Sequence, residues 1–141
     1  MKQAEGHKLG CVLYHEWVNK TNPGETLEFL DKLELLFDDG RLVFGTSENG
    51  EAICLYPAYD AESARLRLLH EFGGKIDIRS DDMSSNALWE IATGRRLESV
   101  EIAREKNGTY RNDCLMLDFE GERLEIRLGM DGLIVEPFED V

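Results

Sequence analysis

Ten residues, LELLFDDGRL at 33–42, return almost unchanged as LMLDFEGERL at 115–124. At an offset of 82, residues 31–53 and 113–135 agree without a gap at Asp31/Asp113, Leu33/Leu115, Leu35/Leu117 and Phe37/Phe119. They agree again at Arg41/Arg123, Leu42/Leu124 and Gly50/Gly132. With two residues dropped upstream, Gly10/Gly94, Leu13/Leu97, Val18/Ile102 and Gly24/Gly108 extend the match. A segment written twice points to an internal duplication, with units near 10–57 and 94–137. Neither copy can bury its apolar face alone, so the pattern predicts two copies folding on one another as a single domain.

Each repeated position has a local reason. Leu33, Leu35 and Phe37 alternate, as do Leu115, Leu117 and Phe119, which is the period of a half-buried strand. Asp38-Asp39-Gly40 and Glu120-Gly121 supply turn residues, and alternation resumes at Leu42 and Leu124. Asn49-Gly50 and Asp131-Gly132 then turn each copy into a last strand, while CVLYHEWVN and RLESVEIAR read as its first. The expected architecture is therefore α+β, an antiparallel four-stranded β-meander present twice.

The connector, 58–93, matches neither copy. Asp60 can N-cap a helix whose apolar stripe is Ala61, Ala64, Leu68, Leu69 and Phe72, with Gly73 as its stop; a strand through ARLRL is the competing reading. KIDIRS reads as a short strand and SSNALWEIATG as a brief helix capped by Asn86.

Chemistry is sparse. The chain has no GxSxG, Walker, GxGxxG, HExxH or EF-hand pattern, so no catalytic residue and no cofactor is assigned. His7, Cys11 and His15 are spaced four apart, but on a strand they spread over roughly 27 Å, too far for one metal ion. Three cysteines without a CxxC read as small buried hydrophobes. Two polar pairs recur with the copies: Asp31 and Asp113, just before the apolar register, and Arg41 and Arg123, just after the turn. They serve as bulge and charge balance, or they mark two quasi-equivalent polar sites.

The formal net charge is −13 over 141 residues, and residues 113–141 set nine acids against Arg123 and Arg127. Such a field repels nucleic acid and anionic membrane and draws in a basic protein. The same charge also serves solubility. No apolar leader or long apolar run is present, which predicts a cytoplasmic protein. Asp38, Asp39, Glu120 and Glu122 at the equivalent turns are the acidic candidates for a partner, with Trp89 as a candidate anchor.

In length, acidity and class the chain resembles small bacterial immunity proteins of toxin-delivery systems. Its two hairpin phrases also look like the repeated hairpins of uncharacterised bacterial families. The first resemblance implies a cytosolic, non-catalytic protein that binds and blocks one toxin; it assigns no residue a role. A self-associating structural or regulatory module, homodimeric included, is the alternative. An enzyme or ligand binder using the seam between the two units is the third reading.

Overall fold

The computed structural model describes residues 4–22, 24–47, 50–104, 110–130 and 132–138, and for 22, 102–104 and 110–113 the backbone alone. Among the described residues nine strands form two antiparallel sheets. β1 (Leu9–Asn22), β2 (Glu25–Phe37), β3 (Arg41–Thr46) and β4 (Ile53–Tyr56) pair in chain order. β5 (Ile76–Asp82) then joins the free side of β1 to give a five-stranded sheet. β6 (Leu97–Arg104), β7 (Tyr110–Phe119), β8 (Glu122–Leu128) and β9 (Leu133–Pro137) form the four-stranded one. Two helices, α1 (Ala61–Phe72) and α2 (Ala87–Glu90), occupy the connector. No helix among the described residues is long and apolar enough to cross a membrane.

The register of the two central hairpins matches residue for residue. Leu33 faces Phe44 and Leu35 faces Leu42, while Leu115 faces Ile126 and Leu117 faces Leu124. The turns differ in their chemistry. Glu120 and Gly121 both take positive φ, 54° and 95°, as a two-residue turn that follows strand twist requires. In the other hairpin only Gly40, at φ 95°, does so, and Asp38 and Asp39 stay in ordinary backbone space.

The first strands correspond differently from the sequence alignment. Leu9 faces Phe37 and Leu97 faces Phe119, and a bulge follows each, between Leu9 and Cys11 and between Leu97 and Ser99. Leu97 therefore corresponds to Leu9, not Leu13. Lys8 and Arg96 bridge the two segments. Around them Leu9 N–H donates to the Arg95 carbonyl at 2.9 Å and Leu97 N–H to the His7 carbonyl at 3.0 Å. The two bonds interchange under the shifts Leu9 to Leu97 and His7 to Arg95, as a local two-fold relation would give.

The inner faces of both sheets share one core. Val12, Leu33, Leu35, Leu42 and Phe44 from the first sheet cluster with Leu97, Leu117, Phe119, Leu124 and Ile126 from the second, and all are buried. Among the described residues the seam between the sheets is thus filled with side chains, which weighs against a ligand cleft there. Trp89 belongs to this core: it is 0% exposed, and its indole N–H donates to the Tyr14 hydroxyl at 2.7 Å. The expected role as partner anchor is corrected on that ground, because no surface of Trp89 is available to a partner.

α1 forms where the connector pattern places it. Asp60 accepts from the N–H groups of Glu62 and Ser63 at 3.1 and 3.2 Å, and Gly73 closes the helix at φ 62°. Its buried stripe is narrower than the apolar pattern suggests. Ala64 and Leu68 turn inward beside Ile78, whereas Leu69 and Phe72 are exposed along with Leu66.

Candidate functional site

Alternation gives each strand one side chain inward and the next outward. On the outer face of the first sheet that rule places His15 beside Ser80 of β5 and Lys32 of β2, with Glu34 one pair further along. These positions would ordinarily meet water. Instead His15 is 3% and Glu34 4% exposed.

The two are buried as a satisfied chain. Ser80 Oγ lies 2.7 Å from His15 Nδ1, His15 Nε2 lies 2.9 Å from Glu34 Oε1, and Arg41 donates to Glu34 Oε2 at 3.0 Å. Each polar atom thereby keeps the partner that burial demands. The His15 imidazole also packs against the Tyr59 ring at 4.9 Å between centroids.

Asp31 and Lys32 continue the cluster. His15 pairs with Lys32 and Glu16 with Leu30, so Asp31 is the extra residue of a bulge in β2. The bulge lets both Leu30 and Leu33 reach the core and directs Asp31 toward its neighbour Lys32, whose Nζ lies 3.1 Å from Asp31 Oδ2. That ammonium also sits 4.8 Å from the Tyr56 ring centre and 5.6 Å from that of Tyr59, within cation–π range. Beside it opens a cleft of about 340 Å³ lined by Trp17, Asp31, Lys32, Tyr56, Tyr59 and Arg67, with Leu68 and Ile78 among its apolar walls.

Tyr59 is the one anomaly among the described residues. Its hydroxyl is enclosed and has no hydrogen-bond partner. Burial first, and the neighbouring Asp31 second, push its pKa up to about 12, so it stays a protonated donor at neutral pH.

Among the described residues the four-stranded sheet carries nothing comparable at the matching positions. Where β2 has Lys32 and Glu34, β7 has Cys114 and Met116. Cys114 is buried and donates to Glu125 Oε1 at 2.9 Å. Arg123 lies 3.5 Å from Asp118, a surface pair, whereas Arg41 is tied to buried Glu34. The side chain of Asp113 lies outside the described residues, so only Asp31 of that pair has a described setting.

The acidic turn residues sit elsewhere, beside the Lys8–Arg96 bridge. Asp38 is 2.9 Å from His7 Nδ1, and Glu120 accepts from the backbone N–H of Arg96 at 3.1 Å. Asp39 lines a hollow with Ala4 and Arg41, and Glu122 is half-buried in β8. The turns are thus interleaved with basic groups, and they do not form a purely acidic face. Among the described residues no group of His, Cys, Asp and Glu could hold a metal ion.

His15, Glu34, Ser80, Lys32, Tyr59 and Arg67 were not singled out by sequence as one site, because register and not spacing assembles them. A signal existed nonetheless: Glu34 against Met116 is a polar-for-apolar departure inside an otherwise matching phrase. Comparison with protein-family models, with curated proteins and with solved structures finds no match to the chain.

Proposed function

We propose that the chain is an internally duplicated binding protein without chemistry of its own, and that its working face is the outer side of the five-stranded sheet. One observation carries this reading. Two sheets with the same hairpin register and a common core differ on their outer faces, and among the described residues the five-stranded one holds the His15–Glu34–Arg41 chain and the aromatic cleft without a counterpart at the matching positions of the other. Packing explains what the sheets share, and the departure is where a specific task is expected.

The partner class that charge favours is a basic protein, such as a toxin that grips phosphate. A net charge of −13 accelerates encounter with it at low salt. Inhibition by occlusion, in the manner of an immunity protein of the cytosol, is the action proposed. The test is capture from the cytosol that makes the protein, at low and moderate salt, followed by hydrogen exchange of the isolated complex. Protection over 28–34, 56–68 and 76–80 is the expected footprint; protection confined to β6–β9 refutes the assignment of the face.

A self-associating module is the second reading. It is favoured by the exposed Leu66, Leu69 and Phe72 on one side of α1. Sedimentation that shows a concentration-dependent mass, abolished by Leu66→Glu with Leu69→Glu, would support it; an unchanging monomer mass would remove it.

A further inference from the structure

We propose that the cleft beside Tyr59 is a binding site for a small carboxylic acid with an aromatic or branched apolar body, received by Arg67, Lys32 and the Tyr59 hydroxyl. This rests on reading the outer face of the five-stranded sheet as the binding face. It does not rest on the partner protein being basic.

Charge is the first argument. The cleft lining holds Lys32 and Arg67 against Asp31, a balance of one positive charge in a protein of net −13. The larger cleft at the edge of β5 sets Lys20, Arg65 and Arg79 against Glu28, Glu62 and Asp77 and cancels. Nearby acids are already engaged: Asp31 by Lys32, and Glu34 by His15 and Arg41. Arg67 makes no hydrogen bond or ion pair among the described residues, so its planar fork is open to a carboxylate.

The unmet hydroxyl is the second. A buried O–H without an acceptor is rare, and a group that nothing in the fold satisfies marks a place where something else does. Tyr59 remains protonated at neutral pH and can donate only to an acceptor that the chain itself does not supply. The walls supply the third argument. Trp17, Tyr56, Leu68 and Ile78 present flat and branched apolar surface, and about 340 Å³ lies at the small end of ligand cavities. Doubly charged phosphates fit less well, since Asp31 stays within the lining.

The full chain, labelled with nitrogen-15, is titrated with 3-phenylpropionate, with 3-phenylpropanamide and with 3-phenylpropylammonium. The acid is expected to shift amides at 31–32, 56–59 and 64–68 and to bind at least about tenfold more tightly than the amide. Arg67→Met, on the exposed side of α1, should erase that preference and leave the weak binding of the amide as it was. Tyr59→Phe should weaken the acid severalfold while leaving thermal unfolding unchanged or raised, because it removes an unsatisfied group. Equal or tighter binding of the amide or the ammonium compound overturns the carboxylate assignment and leaves the face standing. No shifts from any of the three at about 10 mM overturn the cleft as a small-molecule site. Shifts located at the Lys8–Arg96 end would do the same.

Discussion

Replacing Glu34 with Leu should be far more damaging than replacing Glu34 and His15 together. The single change leaves His15 Nε2 without its acceptor in a place 3% exposed, which costs about 1–3 kcal/mol. It also removes the Arg41 bond, worth about 0.5–1 kcal/mol because the Arg41 side chain is 45% exposed and can turn to water. A loss of about 3 kcal/mol is expected for Glu34→Leu. His15→Leu strands the Glu34 carboxylate with Arg41 as its remaining partner and should cost a similar amount. The double variant buries two apolar side chains of comparable volume, leaves only exposed Ser80 and Arg41 unpaired, and should lie within about 1 kcal/mol of the native chain. Urea unfolding of the four proteins closes the cycle, with an expected coupling of about 2 kcal/mol or more. Simple additivity of the two single losses would show that His15 and Glu34 do not act as a buried pair. A double variant that recovers stability but loses the partner would locate the reason for the pair in binding.

Two further perturbations test the frame. Gly132 lies where β9 approaches β2: a Cβ there would stand 2.5 Å from the Leu30 carbonyl oxygen and 2.8 Å from the Phe29 ring, so Gly132→Ala should cost about 1–3 kcal/mol in thermal or urea unfolding. An unaffected stability would mean that the two sheets stand further apart there. The Asp60 carboxyl is held below its ordinary value by the backbone N–H of Ser63, then by the Ser63 hydroxyl and the Glu62 N–H. A depressed carboxyl contributes fully above the ordinary aspartate value, about 3.9, and is lost as pH falls through its lower folded value. Amides in the first turn of α1 should therefore exchange faster, relative to the rest of the chain, as the solution is acidified below about pH 4. Asp60→Ala should already show that faster exchange at neutral pH and lose the acid step; an acid step that persists in the variant contradicts the cap.

Local chemistry made the hairpins legible. Alternation fixed which of Leu33, Leu35, Leu115 and Leu117 face inward, and Gly40 and Gly121 marked the turns. The α1 cap was legible at Asp60 and Gly73 because capping depends on a few adjacent residues. What failed were features set by non-local packing. The first strands slipped by four residues in the alignment because Leu9 and Phe37 stand 28 residues apart and Leu97 and Phe119 only 22, so the second hairpin is six residues shorter where the alignment dropped two. Trp89 read as a candidate anchor because a short helix can bury only part of its circumference, whereas the core closes round it on every side. His15 and Glu34 are 19 residues apart and Ser80 is 65 from His15, and only strand register brings them to within hydrogen-bond reach.

Everything placed on the outer face presumes that both sheets are held by one interior. Native-state hydrogen exchange measures this directly, by comparing the slowest amides of β2, at 33–36, with those of β7, at 115–119. A shared core predicts opening free energies within about 1 kcal/mol of each other and equal to that of global unfolding. Sheets that open separately, with one set several kcal/mol below the other, would contradict it.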